Sequence, residues 1–435
     1  MASSVHRLLL AAVVLAAALG LSDWLFAQVS PPRNDQEAPE LVGSPAAGMA
    51  AAEPMPPEAT VQPYCMPDGC GYETLCLPEV SPCGDSARLW LRGQYLIWRT
   101  KGNPLPALVS TSPPDAPWDQ AGVPGTPGYD VLFGDQGIAD EDRGGGYITL
   151  GYWLDEGRTL GLQVDWFLVG NDKSTGCFAA ASDGVPILAR PFYDVQGEPA
   201  ATLLAFPEVV EGAIRVDTSS ELNSGGVLLR RNWRSGSRGR IDVLAGYRHF
   251  CFREDLRIAE SLTSTDPNGE NPKETKINGF DYFATDSDFH GGELGLTAEF
   301  YRGFWSLNLS AKAALGNVQQ QLTIDGATKI EIPNSDDDPL VTDGRLLSQP
   351  TNIGYHRRNA FAVLPELGVN LEYHLTERCS LMMGYTLVCF NRVLRTGDQI
   401  DTAADSTPLA AHPAVVLRDA SFWAQGISLG VQLAR

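Results

Sequence analysis

Apolar and polar residues alternate with a period of two along much of this chain, and this pattern limits the fold more than any other feature. In the segment TLGLQVDWFLVG, Leu162 and Val164 fall on one face, whereas Gln163 and Asp165 fall on the other. Such alternation predicts a β-strand between two unlike surroundings. A soluble sandwich would bury the apolar face, whereas a membrane barrel would turn it outward toward lipid.

The alternation recurs after residue 88, and the connections between the alternating segments differ regularly in length. The other alternating segments are LWLRGQYLIWR, RIDVLAGYRHF, FHGGELGLTAEF, WSLNLSAKAALG, PELGVNLEYH and FWAQGISLGVQLAR. Short connections, such as residues 154–159 and 374–378, alternate with long ones rich in Pro, Gly and Asp, such as residues 101–143 and 253–286. Such long segments are typical of loops.

This regularity predicts an all-β protein, an antiparallel up-and-down transmembrane β-barrel of about 10 strands, with a range of about 10 to 12. All tight turns lie at one end, and both ends of the barrel sequence lie there too. A soluble exported β-sandwich remains the alternative fold, because the local alternation alone does not separate the two.

The part of the chain before the barrel divides into three segments. Residues 1–27 have the layout of a signal peptide, since His6 and Arg7 precede an apolar run and small residues follow up to Ala27. Residues 28–64 are rich in Pro and Ala and predict a disordered linker, followed by a Cys-rich segment at residues 65–87 and the barrel at 88–435.

Half of the cysteines lie close together, at Cys65, Cys70, Cys76 and Cys83. An exported chain meets an oxidising compartment, so we expect two disulfides among these four, with a connectivity that the sequence does not define. A zinc site is the alternative, although the spacing lacks the close C-x2-C pairs of structural zinc sites.

Charge and motifs exclude several classes of function. The net charge of −21 argues against nucleic acid as a partner, because phosphate binding needs a basic surface. The histidines show no metal-ligand spacing, and no nucleophile elbow or phosphate-binding loop is present, so we predict no enzyme, no cofactor and no metal site. Asp288 and His290 fall on one face of a strand, which predicts a hydrogen bond between them.

Several longer runs resemble the β-barrel porin family of planctomycete bacteria. They include LWLRGQYLIWRTKGNPLPALVSTSP, ITLGYWLDEGRTLGLQVDWF, LAGYRHFCFREDLRI and LSQPTNIGYHRRNAFAVLPELGVNLEYHLT, and together they extend over residues 88–435 in order. This resemblance implies a barrel in the outer membrane, with the lipid bilayer as its partner. It says little about the solute or the oligomeric state.

Charged residues on the polar faces of the strands are the candidates for function, because inward charges tune ion selectivity in a pore. These candidates are Arg92, Asp165, Asp242, Arg248, Glu293, Glu299, Lys312, Glu366 and Glu372. They favour a narrow porin for small, cationic solutes. The alternatives are a filled barrel with a structural or surface-interaction role through its long loops, and a soluble exported adhesin.

The cysteine cluster gives a first testable prediction. Mass spectrometry of peptides from the non-reduced protein should find Cys65, Cys70, Cys76 and Cys83 joined in two disulfides, because the compartment is oxidising. Four free thiols, or one bound zinc ion per chain, would contradict this prediction.

Overall fold

The computed structural model describes residues 88–138, 142–170, 176–267, 269, 271–335, 338–404 and 412–435. The predicted signal peptide, linker and Cys-rich segment, with Cys65, Cys70, Cys76 and Cys83, lie outside the described residues. The described part is all-β, as the sequence predicts, and its one helical element is a short 3₁₀ turn at Gly397–Gln399. None of its helices is long and apolar enough to cross a membrane.

The long strands form one large antiparallel sheet. These strands are β1 (Leu89–Thr100), β6 (Asp142–Trp153), β7 (Leu160–Val169), β11 (Val210–Gly236), β12 (Gly239–Ser264), β13 (Lys276–Arg302), β14 (Trp305–Glu331), β16 (Gly354–Thr376), β17 (Cys379–Leu394) and β18 (Asp419–Ala434). The short strands lie in the connections between them. They are β2 (Asn103–Pro104), β3 (Val109–Thr111), β4 (Asp130–Phe133), β5 (Gly137–Ile138), β8 (Gly176–Ser182), β9 (Leu188–Tyr193), β10 (Pro199–Ala205) and β15 (Leu340–Asp343).

The long strands close into a ring in the order β1-β6-β7-β11-β12-β13-β14-β16-β17-β18, after which β18 pairs with β1 again. The closing pair runs from Trp90 opposite Ala434 to Thr100 opposite Ala424. The prediction of an up-and-down barrel of about 10 strands is therefore confirmed. Tight turns join β6 to β7, β11 to β12, β13 to β14 and β16 to β17, and all of them lie at the same end as the start of β1 and the end of β18.

One of these tight turns shows how the sequence fixes its shape. The Asp155 carboxylate accepts hydrogen bonds from the backbone N–H of Leu160 at 2.7 Å and of Thr159 at 2.9 Å. These backbone hydrogen bonds stabilise the charged form and lower the Asp155 pKa to about 2. The short connection therefore ends with its polar groups satisfied, and β7 starts in a defined register.

In the part of the barrel nearer the tight turns, the apolar faces of the strands point away from the ring, and the polar faces point into it. On β7, the Leu162 and Val164 side chains are each 44% exposed, whereas Gln163 and Asp165 are buried. Leu294, Leu367 and their outward neighbours follow the same pattern. The arrangement is the reverse of a soluble sandwich, in which the apolar faces pack together.

Four neighbouring strands continue far beyond the segments that the alternation of apolar and polar residues identified. Strands β11, β13 and β14 have 27 residues each, and β12 has 26. The predicted loop at residues 253–286 was therefore too wide, because β12 extends to Ser264 and β13 begins at Lys276. In the part of β12 farther from the tight turns, the outward residues are polar; they include Arg253, Asp255 and Arg257. The outward apolar residues that identify the part of the strand nearer the turns are therefore missing there.

The long connections fold back against the inner face of the barrel at the end opposite the tight turns. The connection between β7 and β11 carries β9, whose first four residues are buried, and β9 joins β3, β4 and β10 in a small second sheet. Side chains from these connections pack on inward residues of the long strands, including Ile258 and Phe283. The upper part of the barrel therefore has a core of its own.

Labelling of two neighbouring residues tests the direction of the strand faces. In protein reconstituted in a lipid bilayer, a lipid-soluble thiol probe should modify the Leu162→Cys variant and miss the Gln163→Cys variant, because adjacent strand residues face opposite sides. Protection of the Leu162→Cys thiol from the lipid probe would show that this face is not in contact with lipid.

Candidate functional site

All of the charged candidates that the sequence identifies point into the barrel. The residues so placed are Arg92, Asp165, Asp242, Arg248, Glu293, Glu299, Lys312, Glu366 and Glu372. Closure of the ring turns alternate residues of every strand toward the same interior, so residues far apart in sequence meet there. Seven of them, together with Arg230 and Arg240, form two groups at different heights along the barrel, and Arg92 and Glu372 pair with each other.

The first group, here called the central cluster, consists of Asp165, Arg248, Glu293, Lys312 and Glu366. Glu366 accepts from Arg248 at 2.8 Å and lies 2.7 Å from the Lys312 ammonium, which is also 3.4 Å from Asp165. The fifth member, Glu293, lies 3.8 Å from Arg248. Three carboxylates therefore face two cations in a buried network that joins β7, β12, β13, β14 and β16.

The second group, here called the mouth cluster, lies nearer the tight turns and consists of Arg230, Arg240, Asp242 and Glu299. Arg230 donates to Asp242 at 2.6 Å and to Glu299 at 2.9 Å, while Arg240 donates to Asp242 at 2.7 Å. The two guanidinium groups fill this end of the barrel between β11, β12 and β13.

Two tryptophans complete the mouth of the barrel. The Trp90 and Trp153 rings lie 5.1 Å apart, and the Arg240 guanidinium lies 4.0 Å above the Trp153 ring. A Cβ atom at Gly151 would stand 1.9 Å from the Trp90 ring, so only glycine leaves room for this ring inside the barrel. Stacked rings and guanidinium groups of this kind form stable, space-filling contacts.

Arg92 of β1 links the mouth cluster with Glu372 on β16. It lies 3.1 Å from Glu372 of β16 and 4.0 Å from Glu299 of β13. Because β1 and β13 are five places apart in the ring, the last contact crosses the full width of the barrel. Each charged candidate thus has at least one partner of opposite charge.

A small polar cavity remains beside the central cluster. Its volume is about 50 Å³, and its walls include Gln94, Gln163, Asn308 and Asn370. A cavity of this size holds only a few water molecules. The cavity adjoins Asp165, Lys312 and Glu366 of this cluster, whereas the buried Glu293 carboxylate oxygens accept no hydrogen bond from the described residues.

An apolar layer lies above the central cluster and fills the barrel from wall to wall. Its large members are Trp98, Phe167, Phe250, Phe252, Phe289, Phe390 and Phe422. The Phe252 and Phe422 ring centroids lie 4.3 Å apart, although β12 and β18 stand on opposite sides of the ring. Phe250 of β12 likewise contacts Phe390 of β17, with centroids 5.0 Å apart.

Further ion pairs lie above the apolar layer, where the long connections enter. Arg395 donates two hydrogen bonds of 2.9 Å to Glu254, and Arg190 of β9 donates to Asp281 at 2.6 Å. All four side chains are almost fully buried. These pairs fix the connections to the inner wall of β12 and β13.

Sequence reasoning missed several residues of this interior. Arg230 and Arg240 were not among the candidates, although Arg230 follows the outward residues Val227 and Leu229 at the spacing that turns it inward. Leu96 and Trp98 interrupt the otherwise polar inner face of β1 because both belong to the apolar layer. Arg190 and Arg395 carried no period-two signal because they lie outside the long strands.

Residues 90–434 match the model of the family described as "Putative beta barrel porin-7 (BBP7)". No curated protein sequence matches the chain.

Several solved structures are similar at low sequence identity. The outer membrane protease OmpT from Escherichia coli has 8% identity and a TM-score of 0.39, with 83% of this chain and 99% of that chain covered. An anion-selective porin from Comamonas acidovorans has 9% identity and a TM-score of 0.18, with coverages of 79% and 100%. The toluene transporter TodX of P. putida has 7% identity and a TM-score of 0.21, with coverages of 80% and 90%. These values are too low to transfer an activity to this chain.

Removal of one buried carboxylate tests the central cluster. Glu366→Gln should lower the free energy of unfolding by roughly 3–5 kcal/mol, because Arg248 and Lys312 both lose their nearest buried partner. Urea unfolding of the protein in lipid vesicles measures this change. Glu156→Gln is the control, since Glu156 pairs with Arg88 on the surface with a side chain that is 90% exposed, and such pairs are worth about 0–1 kcal/mol. Equal effects of the two changes would contradict a buried network.

Proposed function

The chain belongs to the "Putative beta barrel porin-7" family, and from that premise we propose that it is an outer-membrane β-barrel whose interior is closed by its own side chains. The protein then acts through the end of the barrel that its long connections build, in a structural or surface-interaction role. A bilayer location is supported by the outward apolar faces of the strands, which in water would be an unfavourable surface.

The contact between Phe252 and Phe422 carries the proposal of a closed interior. Rings from opposite walls that stand 4.3 Å apart leave no space for water between them. The neighbouring residues of the apolar layer come from β1, β7, β11, β13, β14, β16 and β17 and surround this contact. A hydrated ion would meet a barrier of packed apolar side chains here, and dry constrictions of this kind prevent conduction.

The ion pairs on both sides of the apolar layer support the same proposal. In a conducting pore, charged side chains line the wall and act on the passing ion. Here Glu366 contacts both Arg248 and Lys312 directly, and Arg395 is held by Glu254. These charges mainly neutralise each other. They therefore stabilise the interior and leave only a weak electrostatic field along the barrel axis.

A narrow, cation-selective porin is the second candidate function, and the central cluster is the observation that favours it. Its carboxylates outnumber its cations by one, and a small polar cavity adjoins them. If the apolar layer opens, Asp165, Glu293 and Glu366 would favour cations, with Arg92, Asp242, Glu299 and Glu372 further along the path. Glu366→Gln should then reduce the cation preference measured as a reversal potential in a salt gradient. An anion preference would contradict this second candidate.

Conductance measurement decides between a closed barrel and an open pore. In planar bilayers, the refolded wild-type protein should give no regular single-channel steps, because the apolar layer blocks the axis. The double variant Phe252→Ala/Phe422→Ala should leak small ions more than wild type, since it removes both rings from the contact. Migration in electrophoresis before and after heating shows whether each barrel is folded.

Tyr385→Ala is the matched control, because Tyr385 is an aromatic residue on the outer face, 47% exposed. This variant should remain as silent as wild type. Regular steps in the wild-type protein would overturn the closed barrel and favour the narrow porin.

A further inference from the structure

Two histidines and one aspartate meet on the outer face of the barrel, away from the interior. His249 of β12 stands directly opposite His290 of β13, and Asp288 lies two residues before His290 on the same face. The sequence predicts a hydrogen bond between Asp288 and His290. In the structure these two side chains lie 3.4 Å apart, and the short hydrogen bond of Asp288 is with His249 instead. The sequence did not identify His249 as a third member, because only the strand register brings it there.

The three side chains converge on one point. His249 Nε2 lies 2.6 Å from Asp288 Oδ1, and His290 Nε2 lies 3.4 Å from the same oxygen. The ligand atoms of the three residues all lie within 4.8 Å of one another. Each of the three side chains remains partly exposed, at 35% for His249, 36% for Asp288 and 52% for His290, so an ion from solvent can reach them.

The other nitrogen of His290 is also held in place. His290 Nδ1 lies 2.5 Å from the Tyr247 hydroxyl, whose side chain points outward beside it. When Nε2 binds a metal ion, Nδ1–H can donate to this hydroxyl oxygen. Partners of this kind orient metal-binding imidazoles and raise the affinity for the ion.

We propose that His249, Asp288 and His290 form a binding site for a divalent transition metal ion such as Zn²⁺ or Cu²⁺. Two imidazoles and one carboxylate suit these ions, whereas Ca²⁺ and Mg²⁺ prefer oxygen ligands alone. Zinc bonds of about 2.0–2.1 Å require ligand atoms roughly 3.3 Å apart in a tetrahedral site. The 3.4 Å between Asp288 Oδ1 and His290 Nε2 already matches this spacing, whereas the 2.6 Å between Asp288 Oδ1 and His249 Nε2 would have to widen on binding.

The site lies at the border between the apolar and the charged part of the outer face. Tyr247, Leu294 and Leu315 are exposed just below it, whereas Arg253 and Asp286 form an ion pair of 3.0 Å just above it. In the proposed bilayer this border lies near the lipid headgroups. Three protein ligands leave a fourth position of the ion open, and this position faces outward for water or an external anionic group.

A neighbouring thiol is not included in the proposed site. Cys251 stands opposite Asp288 in the register, but its Sγ contacts Asp286 at 3.7 Å and is buried. The proposed ligand set therefore consists of the two imidazoles and the Asp288 carboxylate.

Zinc binding to the full-length protein in detergent tests the proposal. Competition with a chromophoric chelator should show one more zinc equivalent in wild type than in His249→Ala, His290→Ala or Asp288→Asn. All preparations carry the same cysteines in the N-terminal segment, so zinc held there cancels in the difference. Tyr247→Phe should retain the equivalent with an affinity about 10- to 100-fold lower, because it removes only the group that orients His290.

His356→Ala is the matched control, since His356 lies on β16 and contacts the Asn352 carbonyl oxygen, outside the cluster. It should bind as much zinc as wild type. In parallel, the electron paramagnetic resonance spectrum of the Cu²⁺-loaded wild type should show the splitting that two bound nitrogens cause. The spectrum of either single histidine variant should lack this two-nitrogen splitting. Equal zinc binding by wild type and both histidine variants, in barrels shown to be folded, would overturn the proposal.

Discussion

Closure of the sheet between β1 and β18 is the constraint on which the rest of this structure depends. The pairing from Trp90 opposite Ala434 to Thr100 opposite Ala424 leaves the ring without a free edge. In hydrocarbon, each unpaired backbone N–H or C=O would cost several kcal/mol, so a spanning sheet has to close on itself. Once it is closed, the alternation along each strand separates an outer apolar surface from a single enclosed interior.

The small width of that interior then determines its chemistry. With ten strands, side chains from opposite walls reach each other, as Arg92 and Glu299 do. Charges held this close, away from bulk water, are stable only when they are paired. The interior accordingly alternates along its axis between paired charges and packed rings, and the Phe252–Phe422 contact separates the ion pairs below from those above.

The sequence was sufficient for features that depend on local alternation. Neighbouring residues alone predict that Leu162 and Gln163 face opposite sides and that Lys312 and Glu366 point inward. They also predict the tight turn at Asp155. The partner of each interior charge could not be predicted, because the contact of Lys312 with Asp165 depends on the ring order and on the width of the barrel.

The upper strands and the outer histidine cluster were missed for related physical reasons. Beyond Arg253 both faces of β12 change: the outer face becomes polar and the inner face holds Leu256 and Ile258. The side chains still alternate with a period of two, but the apolar residues now lie on the inner face and the polar residues on the outer face. A pattern of outward apolar residues therefore ends before the strand does. His249 and His290 are 41 residues apart in the chain, and only the register of β12 with β13 makes them neighbours.

The great length of β11 to β14 has a mechanical consequence. A strand needs about 9–11 residues to cross a bilayer, and these strands have 26 or 27. If the barrel spans a bilayer as proposed, the remainder would extend several nanometres beyond it at about 3.3 Å per residue. A pull on the far end of this wall acts along the strands, so many backbone hydrogen bonds between β11 and β12 are loaded in shear at the same time. In the bilayer that we propose, this wall would therefore resist extension under a pull along its strands.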